Sequence, residues 1–269
     1  MTSDTSRRDL LKTLGAAGAG AMLSLGSLAA QDAKKSAIKG PGRIDVHHQY
    51  SFSMDGTYPN TKATWTPQAS LEQMDKHNIA TAILSTAGYG DVVYDGSEKA
   101  RTIARKSNEY AAKLVDQYPK RFGMMAILPI PDIDGAMKEM EYAFDTLKAD
   151  AVGILSNIYD KWPGDPKYFP VFQEINRRKL PVFIHPFVPK CCRGLVNGVQ
   201  DYVVEFDFDT TRAVTSLLYN GVLSKCPDMK LIVNHSGAAL PVLSGRIKDR
   251  VPGDESRDHR DTPRQGISA

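Results

Sequence analysis

From Gly42 onward, short apolar runs alternate with amphipathic stretches. Six runs predict strands: Arg43–His48, Ile79–Ser85, Arg121–Ile130, Ala151–Ser156, Leu180–His185 and Lys230–His235. Most are continuously apolar, the pattern of strands buried on both faces. Helical spacing fills the intervals. Pro67–His77 opens on a proline suited to a first turn, and Glu98–Gln117 repeats apolar residues at helical period. Ile133–Leu147 carries Ala136, Met140, Ala143, Phe144 and Leu147 on one stripe. Tyr168–Arg178, Thr210–Cys226 and Ala239–Val251 complete the set, and no internal repeat is visible. Strands separated by helices imply a parallel sheet covered on both sides, either an open doubly wound sheet or a (β/α) barrel. No G-x-G-x-x-G follows the first strand, which weakens the nucleotide-binding open sheet. Polar residues at the C-terminal ends of three strands favour the barrel, which places its chemistry there.

The segment before this pattern has a different character. Arg7 and Arg8 open a basic start, a weakly apolar Gly- and Ala-rich run spans Leu14 to Leu28, and small residues follow at Ala29 and Ala30. This closely resembles a twin-arginine export signal. Gly15, Gly18, Gly20 and Gly26 dilute the run, so a stable membrane anchor is not expected, although retention as an uncleaved anchor is the alternative. The expected organisation is a signal over 1–30, a linker over 31–41, a barrel domain over 42–251 and a polar tail over 252–269.

Composition narrows the function classes. The 269 residues are 42% hydrophobic and 24% charged, an ordinary globular profile, with a formal charge of +3. That near-neutral balance gives no electrostatic reason to expect nucleic acid as a partner. Three cysteines in a chain of this length are too few for a disulfide framework. A small-molecule substrate is the expected partner.

The histidines supply candidate chemistry. In Ile44-Asp45-Val46-His47-His48-Gln49, strand alternation puts Asp45, His47 and Gln49 on one face and His48 on the other. His47 and Gln49 then point into a barrel mouth, while His48 faces the helical layer as a packed or capping residue. His185 closes one apolar run and His235 another, each beside a loop. Three imidazoles at equivalent strand ends point to one shared site for metal or substrate.

At these residues the chain resembles the amidohydrolase-related family of metal-dependent barrels. Within that family it is most similar to the decarboxylase branch typified by aminocarboxymuconate-semialdehyde decarboxylase. D-V-H-H-Q-Y, F-I-H-P and V-N-H-S-G-A-A-L-P carry the likeness, with Trp65–Asp75, Ser107–Val115, Arg121–Pro129, Gly164–Phe172 and Phe206–Val214 matching in order. The resemblance implies a TIM-like (β/α) barrel holding a divalent metal, commonly zinc. It implies a hydrolase or a non-oxidative decarboxylase acting on a small cyclic or aromatic acid. The family's first strand reads D-x-H-x-H; His47 matches its first histidine and Gln49 stands at the second. His185 matches the metal-binding histidine of the fifth strand, and His235 the proton-transferring histidine of the sixth. The family's aspartate ligand on an eighth strand has no counterpart, so the barrel is expected to lack its last two strands. The loop before Trp65, where relatives place an arginine against a substrate carboxylate, offers only Lys62; Lys62 and Trp65 are the candidate substrate contacts.

A neutral amide in place of an imidazole predicts a weak, open metal site. The rival expectation is a degenerate or truncated non-catalytic member, such as a binding protein, whose open sheet edge invites association with a second copy. Cys191 and Cys192 read as loop thiols that an exported setting permits to oxidise. Cys226 reads as packing, Asp209 as a helix N-cap, Trp162 as core and His259 as solvated.

Overall fold

The structure, a computed structural model, describes residues 42–51, 65–86 and 94–250. The export signal, the linker, Lys62 and the tail lie outside the described residues.

Six strands form one parallel sheet in sequence order: β1 (Arg43–Gln49), β2 (Ile79–Ser85), β3 (Phe122–Ile127), β4 (Ala151–Leu155), β5 (Pro181–His185) and β6 (Lys230–Val233). Helices α1 (Pro67–Lys76), α2 (Glu98–Gln117), α3 (Ile133–Glu141) and α4 (Phe169–Arg177) connect the first five strands. Then α5 (Tyr202–Tyr219) and the short α6 (Val222–Lys225) lead to β6, and α7 (Leu240–Lys248) follows it. Local chemistry sets the helix starts. Thr66 accepts a hydrogen bond from the Ala69 amide ahead of Pro67, and Ser97 and Asp132 cap α2 and α3 in the same way.

Two layers of core hold the sheet. Met74, Leu84 and Met124 pack under α1 and α2, while Leu128, Met140, Phe172, Ile184 and Leu217 pack under α3, α4 and α5. A third cluster explains the sheet's shape. Met125, Ala151 and Phe183, with Ile83 and Ile232, draw side chains from five successive strands into one contact. Five strands meet at a point only if the sheet curls. The ends confirm it: the Gln49 carboxamide nitrogen on β1 is 2.8 Å from His185 Nε2 on β5. In a flat sheet those strands would lie about 19 Å apart, at ~4.8 Å per strand. The six strands therefore form the curled part of a (β/α) barrel, as the sequence pattern predicts.

Three sequence expectations need correction. Alternation along β1 fails because a register shift between Asp45 and His48 sets three steps of β1 against two of β2. Asp45 and His48 thus meet on the same side, His48 Nδ1 lying 3.0 Å from Asp45 Oδ2. Secondly, α5 begins at Tyr202, eight residues before the expected Thr210. Asp209 is accordingly no N-cap; it sits fully buried inside α5. Finally, the expected Ile133–Leu147 helix is α-helical only to Glu141 and closes as a π turn over Tyr142–Thr146.

Candidate active site

Asp45 shapes the end of β1. Its Oδ1 accepts from the His47 amide at 2.9 Å and its Oδ2 holds His48, so one carboxylate fixes the bulge that aims His47. His48 continues outward: its Nε2 lies 2.8 Å from Ser70 Oγ, which also accepts from Trp65 Nε1 at 2.9 Å. Aspartate, histidine and serine follow the order of a hydrolytic triad. Ser70 is nevertheless buried within α1, so these bonds tie β1 to the helix layer rather than meeting a substrate. Trp65 belongs to that tie. Its indole N–H is spent on Ser70, its ring packs against Tyr50, and it does not line the cavity described next.

On the other side of β1, four side chains converge. His47 lies with its ring centroid 5.3 Å from His185 and 5.5 Å from His235, and Gln49 reaches between the first two. His185 is held in one tautomer. Its Nδ1 is 2.8 Å from the Pro186 carbonyl, which can only accept, so Nδ1 carries the proton and Nε2 presents a lone pair. Gln49 must therefore donate its amide N–H to His185 Nε2, and the same nitrogen lies 3.5 Å from His47 Nε2. Burial, reinforced by the neighbouring His47 and His235, pushes His185 down to about 4 despite the Pro186 carbonyl; burial and His235 also lower His47 against the pull of Asp45. At neutral pH both rings are neutral donors of electron pairs.

His235 faces this pair from a strained turn. It opens the turn two residues beyond the end of β6, with φ of +46° at His235 and +55° at Ser236 before Gly237. Consecutive non-glycine residues in the left-handed region store strain of the kind that marks functional loops. The ring stacks on Phe206 of α5 with centroids 6.0 Å apart and planes 9° from parallel. Together these residues border a cavity of about 680 Å³, to which the loop after β5 contributes Arg193.

Which group fits between the imidazoles is decided by the donors. Among the described residues, no cluster of three or more His, Cys, Asp or Glu side chains is arranged to hold a metal ion. What exists is a two-imidazole seat, His47 and His185, with both ring nitrogens near one point. Gln49 completes it only by turning its carboxamide so that oxygen replaces nitrogen. The set fits a divalent cation as an open, neutral, three-donor site.

The family model described as amidohydrolase matches residues 44–263. The chain belongs to the amidohydrolase family. Its first 24 residues carry a second match, to the twin-arginine translocation pathway signal over residues 4–24, so this amidohydrolase bears an export signal. It is 38% identical over 223 residues to the decarboxylase yanB of Aspergillus niger, covering 76% of this chain and 61% of that protein. It is 30% identical over 223 residues to the 6-methylsalicylic acid decarboxylase of Penicillium expansum, covering 78% and 68%. The chain thus spans less than two thirds of the length of yanB. A dihydroxybenzoic acid decarboxylase from Polaromonas, solved with bound manganese, shares the fold with a TM-score of 0.68 at 21% identity, over 84% of this chain and 74% of that one. Among the described residues no helix is long and apolar enough to cross a membrane.

The structure of this amidohydrolase brings His47, Gln49, His185 and His235 together and sets Trp65 apart. Sequence reading missed Arg193 and Phe206. Arg193 lies eight residues after His185 in a loop at the C-terminal end of the sheet, a position that is itself a usable signal. Phe206 is hidden in the sequence because exposed apolar residues blur the first turns of α5. Asp209, within the same helix, accepts from Ser156 Oγ, Asn157 Nδ2 (2.6 Å) and Trp162 Nε1 (2.8 Å). Burial raises its carboxyl while those bonds oppose the shift. Its bonds are used up in anchoring α5, and with it Phe206, to the end of β4.

Proposed function

We propose that this chain is the catalytic domain of an exported, divalent-metal-dependent, non-oxidative decarboxylase of small aromatic hydroxy acids, acting in the periplasm or outside the cell. One observation carries the reading: two neutral imidazoles and a carboxamide from β1 and β5 meet beside a third imidazole in a single cavity at the strand ends. The substrate class follows from the 6-methylsalicylic acid decarboxylase relative and from a cavity large enough for one substituted ring.

His47 and His185 would hold the cation through their ring nitrogens, and Gln49 would add its carboxamide oxygen; borderline nitrogen donors make zinc the first choice. A bound cation would supply positive charge that orients and polarises an anionic substrate. Phe206 offers the ring a flat wall and keeps His235 in plane. Arg193 brings a further positive charge to an anionic substrate. His235 delivers a proton to the ring carbon that bears the carboxylate, the carbon–carbon bond then breaks, and carbon dioxide leaves as the ring recovers its electrons.

A second reading, a family member that binds without turnover, draws on the Gln49 N–H that occupies the seat between the imidazoles. Carbon dioxide release separates the two. The zinc- or manganese-loaded full chain is expected to release carbon dioxide from 6-methylsalicylate or 2,6-dihydroxybenzoate. Saturable binding of these acids with no release would establish the second reading instead.

A further inference from the structure

The proposed chemistry uses neither Cys191 nor Cys192, yet the two thiols are placed together. They sit in the 3₁₀ turn Lys190–Cys192, and their sulfur atoms are 2.9 Å apart, well inside ordinary non-bonded contact. Adjacent side chains have no need to share a direction; here both do. Cys191 is exposed and Cys192 buried, so one thiol meets solvent and the other waits behind it.

The turn is anchored on both sides. The Lys190 amide donates to Asp160 Oδ1 at 2.6 Å, the Cys192 amide to the Pro189 carbonyl at 3.1 Å, and the Gly194 amide to Asp201 Oδ1 at 2.7 Å. Between the last two anchors stands Arg193, which lines the histidine cavity and lies over the Phe187 ring at 6.0 Å. Cys192 itself borders a groove against Val204 and Glu205 of α5, one residue from Phe206. Any change in the backbone of residues 191–192 therefore reaches the cavity through its neighbours on both sides.

We propose that Cys191 and Cys192 are a redox modification site: a vicinal disulfide that forms when the exported chain meets a disulfide oxidant and that repositions Arg193 at the cavity mouth. The setting is supplied by the twin-arginine signal, since export leads to compartments where disulfides persist. The inference does not depend on the decarboxylase reading. Cys191, as thiolate, attacks one sulfur of the oxidant disulfide and releases the other as a thiol, giving a mixed disulfide. Cys192 then loses its proton to solvent, attacks the Cys191 sulfur and expels the second thiol. Two protein thiols are oxidised and one disulfide is reduced to two thiols. Neighbouring α-carbons lie about 3.8 Å apart across a trans peptide, below the ~4.4 Å lower end usual for disulfides. The bond is thus strained and readily reduced, the behaviour of a switch rather than a staple.

The test uses the full chain, first reduced and then treated with oxidised glutathione. Alkylation and peptide mass spectrometry should find Cys191 and Cys192 protected and joined, with two hydrogens lost, while Cys226 stays a thiol. Cys192→Ser should instead stall with glutathione on Cys191. Tryptic cleavage after Arg193 should change several-fold between the reduced and oxidised forms, and dithiothreitol should reverse the change. Alkylation of both Cys191 and Cys192 after oxidation, or stable glutathione on either of them in the parent chain, would overturn the disulfide. Cleavage at Arg193 that is the same in both forms would overturn its coupling to the cavity.

Discussion

Gln49 is the residue on which the cavity's chemistry turns. Its amide N–H takes the lone pair of His185 because the Pro186 carbonyl has already fixed the other ring nitrogen as a donor. A cation must displace that hydrogen bond, and it gains only a neutral oxygen in return. Replacing Gln49 by histidine removes both penalties. Gln49→His is therefore expected to tighten zinc binding about tenfold or more, a gain of ~1.4 kcal/mol, in a calorimetric titration of the folded chain. Affinity equal to or weaker than that of the parent would show that Gln49 does not compete with the metal. At this scale the sequence was informative about residue type and poor about partners. His47, His185 and His235 are legible because each stands at or just beyond the C-terminal part of a strand-like run. The orientation of Gln49 is not, since it depends on a ring 136 positions away. The pairing of His48 with Asp45 was hidden by one extra residue in β1, which no periodicity announces.

Elements are placed by buried polar ties as much as by apolar packing. Asn108, fully buried in α2, clamps the end of β3: its Nδ2 donates to the Ile127 carbonyl and to Glu139 Oε1, while its Oδ1 accepts from the Ile127 amide at 2.9 Å. Asn108→Ala strands those groups without water. It should cost about 1–3 kcal/mol in urea unfolding, whereas an exposed asparagine would cost little. Within the last turn of α4 itself, hydrogen bonds from Arg177 and Arg178 hold the part-buried Glu174 carboxyl down to about 2. A folded-state value below the ordinary 4.5 means stability that is present above pH 4.5 and lost as pH falls toward 2. The melting-temperature gap between the parent and Glu174→Gln should shrink across that window; a constant gap would refute the linkage. Strands and most helices were readable because apolar period and length agree with burial. The start of α5 was not, because Tyr202, Val203 and Phe208 are exposed apolar residues that blur its stripe. Asp209 looked like a cap for the same reason and proved to be an anchor.

For the whole molecule, the curl of the sheet is what converts separate motifs into a site. Residues on β1, β5 and the turn after β6 share one cavity only because Met125, Ala151 and Phe183 draw successive strands inward. That architecture was legible from the order of strands and helices together with polar strand ends. The volume and the cationic edge of the cavity were not, since both come from the loop after β5 and from α5. The central claim is that His235 supplies the proton replacing carbon dioxide at this site. The direct test is decarboxylation of 6-methylsalicylate in D₂O by the zinc-loaded full chain, compared with His235→Asn. The parent should place one deuterium on the vacated ring carbon, and the variant should lose about 10²–10⁴-fold in rate while still binding the acid. Carbon dioxide release that survives His235→Asn unchanged would contradict it.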